Sequence, residues 1–155
     1  MERAEKRVDT ALLMEQYKAL LETVDTLPLQ ITGSSMTPFL APGRDSVLLT
    51  KPGSRLRRGD IALYRRSSGA YIMHRVYRCE RDGSYTMLGD AQQQTERGIR
   101  REQIIAVACA AWRKGKEQKP GCFWWEFFAR VWIRIVPLRP VLRGIYSRTF
   151  GRRKQ

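Results

Sequence analysis

Residues 61–78 read Ile61-Ala-Leu-Tyr64-Arg-Arg-Ser67-Ser-Gly69-Ala-Tyr71-Ile-Met-His74-Arg-Val-Tyr-Arg78. Ile61 to Tyr64 is a short apolar run, and Ser67-Ser68-Gly69 is a hairpin-type turn. Residues 70–78 form a second run, rich in Tyr, Ile and Val. Strand, turn and strand at this spacing predict an antiparallel hairpin. Period-2 alternation sets His74 on the face of Ile72 and Val76.

The same pattern extends both ways along the chain. Leu29 to Thr32 and Ser46 to Thr50 read as strands, separated by the loop signal Ala41-Pro42-Gly43. Lys51-Pro52-Gly53-Ser54 is a further turn, and Arg55 to Arg58 is a basic stretch ahead of Gly59-Asp60. Downstream, Arg81-Asp82-Gly83 turns the chain into the strand Tyr85 to Leu88. Gly89 to Gly98 reads as a polar loop and Ile104 to Ala111 as an apolar strand. Short strands between Gly and Pro turns predict a mainly β, antiparallel domain over 28–112, flanked by N- and C-terminal helices.

Residues 1–27 form the first flank. Over 4–24, Val8, Leu12, Leu20 and Val24, with Ala11, Leu13, Tyr17 and Leu21, recur at helical spacing, so an amphipathic helix packed on the core is expected. Charged residues open the chain and no uninterrupted apolar stretch follows, which predicts neither a signal peptide nor an N-terminal spanning helix. A cytoplasmic or peripheral membrane location is the expectation. The 43% hydrophobic content excludes a disordered chain. The net charge of +14 points to an anionic partner. Twelve Lys and Arg in 113–155, against Glu117 and Glu126, place +10 of that charge in the second flank. Cys79, Cys109 and Cys122 are odd in number and widely spaced, so reduced thiols are expected, with no disulfide framework and no metal or cofactor.

Chemistry centres on Ile31-Thr-Gly33-Ser34-Ser35-Met36-Thr-Pro38-Phe39-Leu40. Gly33 allows a sharp turn, and Pro38 fixes its own φ. A serine on such a turn presents its hydroxyl beside backbone N–H groups able to face an oxyanion; the same residues also suit a plain helix-capping turn. A serine hydroxyl needs a base. His74 is the sole histidine, no lysine lies between Lys51 and Lys114, and arginine does not give up its proton. Asp90 and Glu96 share one loop, and either could orient the imidazole. The plainer readings are a satisfied core histidine and a solvated loop with Asp90 bonded to amides of its own turn.

Four segments in order, Gly33-Ser-Ser-Met-Thr-Pro38, Arg58-Gly-Asp-Ile-Ala-Leu-Tyr64, His74-Arg-Val76 and Gly89-Asp90, resemble the boxes of the type I signal peptidases and their S24/S26 serine peptidase relatives. The likeness covers about residues 29–110. It implies a signal peptidase/LexA-like β fold and cleavage of a peptide or secreted-protein precursor. Histidine at position 74 resembles the branch found in the endoplasmic reticulum, in archaea and in some Gram-positive bacteria. By that resemblance Ser35 is the nucleophile, its N–H part of the oxyanion hole, His74 the general base, and Asp90 and Glu96 the acids. The second acid of that branch is usually Asp. A base of ordinary pKa, near ~6.5, would lose activity below that pH. A LexA-like self-cleaving or non-catalytic regulator is the alternative, but that group uses a lysine base and carries an N-terminal DNA-binding domain. A further alternative is a basic membrane- or nucleic-acid-binding module on the same fold; for the peptidase itself no nucleic-acid partner is expected.

Residues 113–120 read as a charged linker. Over 123–142, Glu126, Arg130, Arg134 and Arg139 interrupt an aromatic and branched run, which disfavours spanning. Glu126, Arg130 and Arg134 fall on one stripe. The pattern fits a helix at an anionic membrane interface with its aromatic face down, ending at Pro137 and Pro140 before a basic end. It equally fits an aromatic face packed against the helix of 4–24.

Overall fold

The computed structural model describes the backbone of residues 2–150, with the side chains from Thr10 to Ile145 and that of Arg148. The architecture is an antiparallel sheet with helices at both ends. Its strands are β1 (Thr26–Gln30), β2 (Ser46–Thr50), β3 (Ile61–Arg65), β4 (Tyr71–Cys79), β5 (Tyr85–Leu88), β6 (Glu96–Ile99), β7 (Ile104–Arg113) and β8 (Lys116–Gln118). They lie in the order β1-β2-β7-β3-β4-β5-β6, with β8 paired to β7. The expected hairpin is β3–β4, in the register Ala62↔His74 and Tyr64↔Ile72.

β7 is the strand everything else leans on. Val107 is opposite Thr50 on one side and Ala62 on the other. Ala106, Ala108, Ala110 and Ala111 are all buried, and their small side chains let large neighbours pack over the strand. Alternation along β3 divides the core. Ile61 and Leu63 join the larger cluster with Met36, Phe39, Leu40, Trp125, Phe128 and Trp132. Ala62 and Tyr64 face the smaller one with Val76, Tyr85 and Met87.

Three local expectations are corrected. The first concerns helix α1 (Glu2–Leu20), whose chain continues as turns to the buried Leu21. Met14, Tyr17 and Leu21 meet the core, whereas Leu12, Leu13, Leu20 and Val24 are exposed. The helix touches the sheet along a narrow seam, so most of its leucines find no core to enter. The side chains of residues 2–9, Val8 included, lie outside the described residues. Second, the stretch read as a linker is a hairpin. Arg113 pairs with Lys116, and Lys114 and Gly115 between them have φ of 53° and 76°. Positive φ at both loop residues matches the twist of the flanking strands. Third, the polar loop after Gly89 ends early, because Glu96–Ile99 forms β6, with Glu96 opposite Met87.

The C-terminal region completes the larger core. It runs through helix α2 (Phe123–Glu126), a π turn (Phe127–Val131), two 3-10 turns and helix α3 (Arg139–Phe150). Trp125, Phe128, Trp132 and Ile133 are buried, and Phe39 lies against the rings of Trp125 and Phe128. Gly59, at φ +97°, lets this region approach closely, since a Cβ there would stand 2.9 Å from the Ala129 carbonyl oxygen. Among the described residues no helix is long and apolar enough to cross a membrane.

Candidate active site

The serine turn is pinned by its neighbours. Met36, Phe39 and Leu40 are buried in the larger core, which leaves Ser35 half-buried at the rim. The Thr37 N–H and hydroxyl both donate to the Ser34 carbonyl, at 3.1 and 2.7 Å. The buried Asp45 carboxylate accepts from the backbone N–H groups of Ala41 and Lys114 and from Arg44, tying the end of the turn to the β7–β8 hairpin. Burial pushes the Asp45 carboxyl up, but these bonds more than offset it and its pKa lies below the ordinary value. Arg113 donates to the Phe39 carbonyl at 2.9 Å. Gly33 is not among the positive-φ glycines and has open space around it, so the turn does not need glycine there, contrary to expectation.

The turn lies against the strand that flanks the histidine. The Ser35 carbonyl accepts the Ala91 N–H at 2.9 Å, and a Cβ on Gly89 would come within 2.6 Å of that same oxygen. β4 and β5 pair Arg75 with Leu88. Continued by one residue, the register sets Gly89 beside His74. Directly opposed residues of an antiparallel pair point to the same face. The space left by the missing Cβ of Gly89 is therefore on the His74 face, and the backbone of Ser35 fills it. The Ser35 N–H donates to no group among the described residues, which leaves it available to an oxyanion.

His74 is buried, on the face of Ile72 and Val76, as alternation predicts. Its Nδ1 lies 3.1 Å from the Tyr64 hydroxyl, which in turn lies 2.7 Å from Glu96 Oε2. A phenol has one proton. Given to the carboxylate, it leaves the phenol oxygen to accept Nδ1–H, so Nε2 carries the lone pair. Burial, and then the bond to Glu96, push the Tyr64 pKa far above the ordinary phenol range, so the hydroxyl stays a donor. Glu96 is also bonded twice over by the Arg66 guanidinium, at 2.8–3.0 Å. Burial pushes the Glu96 carboxyl up, but Arg66 and Tyr64 outweigh it and the pKa is lowered. Burial, and then the charge of Arg66, lower His74 to about 4, against the upward pull of Glu96 and Asp90.

Asp90 has a different neighbour. Its carboxylate receives Arg75 Nε and Nη2 at 3.0 and 2.8 Å, and both side chains are fully buried. The sequence suggests that Asp90 binds amides of its own turn; instead the guanidinium holds it, because Arg75 is fully buried within β4 and shut off from solvent. Arg75 also donates to the Gly59 carbonyl and lies over the Phe39 ring. The Trp132 indole N–H donates to the Asp90 carbonyl at 2.8 Å. Arg139, buried, donates to the carbonyls of Gly89, Gln92 and Trp132. The C-terminal region thus clamps the loop on which Ser35 rests.

Glu96 reaches the His74 imidazole through Tyr64 and Asp90 is engaged in holding the loop, whereas Ser35 meets this group through its backbone carbonyl, its hydroxyl making no hydrogen bond to His74. Sequence reasoning passed over Tyr64, Arg66, Arg75, Trp132 and Arg139. The signal for Tyr64 was present in the β3–β4 alternation, which places it on the face of His74. Beside this centre opens a broad groove of about 1450 Å³, bordered by Thr37, Pro38, Glu96, Phe127 and Arg143. It is adjacent to the serine turn rather than built around it. In comparison with family models, with curated proteins and with solved structures, no match to the chain was found.

Proposed function

We propose that the chain is a serine endopeptidase of the signal peptidase type, cleaving a peptide or secreted-protein precursor. The reading rests above all on one observation. The serine turn packs into the gap at Gly89, on the face of a buried histidine whose other nitrogen is held by a Tyr–Glu pair. In the proposed reaction His74 Nε2 takes the Ser35 hydroxyl proton as Oγ attacks the scissile carbonyl carbon. The oxygen gains the negative charge and is met by the Ser35 N–H. The imidazolium is stabilised through Nδ1–H to Tyr64, whose own proton faces Glu96. His74 then delivers its proton to the leaving amine as the C–N bond breaks. Water, deprotonated by the same nitrogen, hydrolyses the ester and restores the serine.

The test is incubation of the full chain with a proteome-derived peptide mixture, with new termini read by mass spectrometry. Ser35→Ala and His74→Ala are each expected to remove the cuts, by about 10⁴-fold or more in rate, while circular dichroism stays that of the wild type. The same cuts at the same rate in either folded variant would remove the proposal.

A further inference from the structure

The C-terminal helix α3 carries an apolar ridge that is exposed. Leu138, at its threshold, and Val141, Leu142 and Ile145 within it are 56%, 60%, 39% and 57% exposed. Their spacing of three, four and seven places them on one side of a helix. An adjoining side of the helix is held to the protein, where Arg139 is buried and Arg143 donates to the Ala91 carbonyl at 3.0 Å. The domain grips α3 by its arginines and turns its aliphatic side outward, the reverse of an ordinary surface helix. We propose that this ridge lies in the interface of an anionic lipid bilayer.

Charge selects that occupant. Residues 113–155 carry a net +10, and Arg130, Arg134 and Arg148 are exposed along the same region. A second copy seated on the ridge would bring two such segments together against their mutual repulsion. An anionic bilayer meets apolar side chains with hydrocarbon and arginines with headgroups at once. At 12 residues, α3 is too short to span and suits a helix lying in the plane. The contact thereby moves from the aromatic face expected from sequence, whose Trp125, Phe128 and Trp132 are in the core, to the aliphatic ridge beyond Pro137.

Sedimentation of the full chain with vesicles of phosphatidylcholine containing about 30% phosphatidylglycerol tests this. Binding is expected at low salt, and at least about tenfold weaker on pure phosphatidylcholine or in about 0.5 M NaCl. The double variant Leu138→Asp/Val141→Asp is expected to bind at least about tenfold more weakly at an unchanged melting temperature, because both residues are exposed. Val141→Gln alone, a milder change, should fall between the two. Wild-type binding by the folded variants, or no sedimentation of the wild type, overturns the proposal. So does a wild-type dimer in light scattering that the double variant dissolves. Ser35→Ala is expected to bind as the wild type does, so loss of the peptidase reading would leave this result standing.

Discussion

Replacing Tyr64 by phenylalanine removes one oxygen from a fully buried side chain and, with it, the bridge between His74 Nδ1 and Glu96. Glu96 keeps its contacts to Arg66, so its charge remains compensated. The imidazole N–H loses its acceptor in a buried place. A hydrogen bond to a charged group is worth roughly 1.5–3 kcal/mol, and an orphaned buried donor costs about 1–3. The expected destabilisation is therefore about 1.5–3 kcal/mol, or roughly 5–10 °C in melting temperature for a chain of this size. The same bond strengthens when the ring becomes an imidazolium. Its loss should lower kcat by about 10- to 100-fold, at about 1.4 kcal/mol per decade, with KM little changed. The acid limb of the pH–rate profile should move below about pH 4, since the imidazolium loses the support of Tyr64 while burial and Arg66 still press the His74 pKa down. An unchanged kcat in a variant that melts lower would make the Tyr64–His74 bond purely structural and refute the relay. An acid limb moved up towards pH 6.5 would refute the assigned cause of the low pKa.

Glu96→Gln removes a charge that raises the His74 pKa and leaves Arg66 pressing it down, so the midpoint of the acid limb should move further below about 4 while the plateau rate falls; a profile measured from about pH 3 to 8 checks the direction. Asp90→Ala leaves the buried Arg75 without its carboxylate and should cost about 3–5 kcal/mol in urea denaturation. Glu96→Gln, at a partly exposed pair, should cost about 1 kcal/mol or less; equal losses would show that the two carboxylates do not differ in role.

The sheet was legible because its strands carry their own alternation. Ile61 to Tyr64 and residues 70–78 declare a hairpin without help from the rest of the chain, and Ser46–Thr50 and Tyr85–Leu88 have the ends read from sequence. The site was legible as a set of residues but not as a network. That Tyr64 stands between His74 and Glu96 depends on β3–β4 register and on β6, a strand hidden in a polar stretch. Arg75 looked like an ordinary basic residue, although a charge inside a strand with buried neighbours on both sides requires a buried partner. The β7–β8 turn was concealed by composition, since Lys114-Gly115 sits in a run of charges that reads as linker. In α1, hydrophobicity suggested a broad apolar face, and only the narrow seam at Met14, Tyr17 and Leu21 decides which side chains meet the core.

Arg139 gives the molecule an unusual mechanical linkage. One guanidinium spans the carbonyls of Gly89, Gln92 and Trp132, and its own backbone begins α3. The helix and the loop beneath Ser35 thus share a rivet, not a hinge. A tilt of α3 pulls on the Gly89 carbonyl, and the Ser35 backbone rests on that glycine. The orientation of an outer helix is thereby coupled to the position of Ser35, through four hydrogen bonds to three carbonyls and no moving domain.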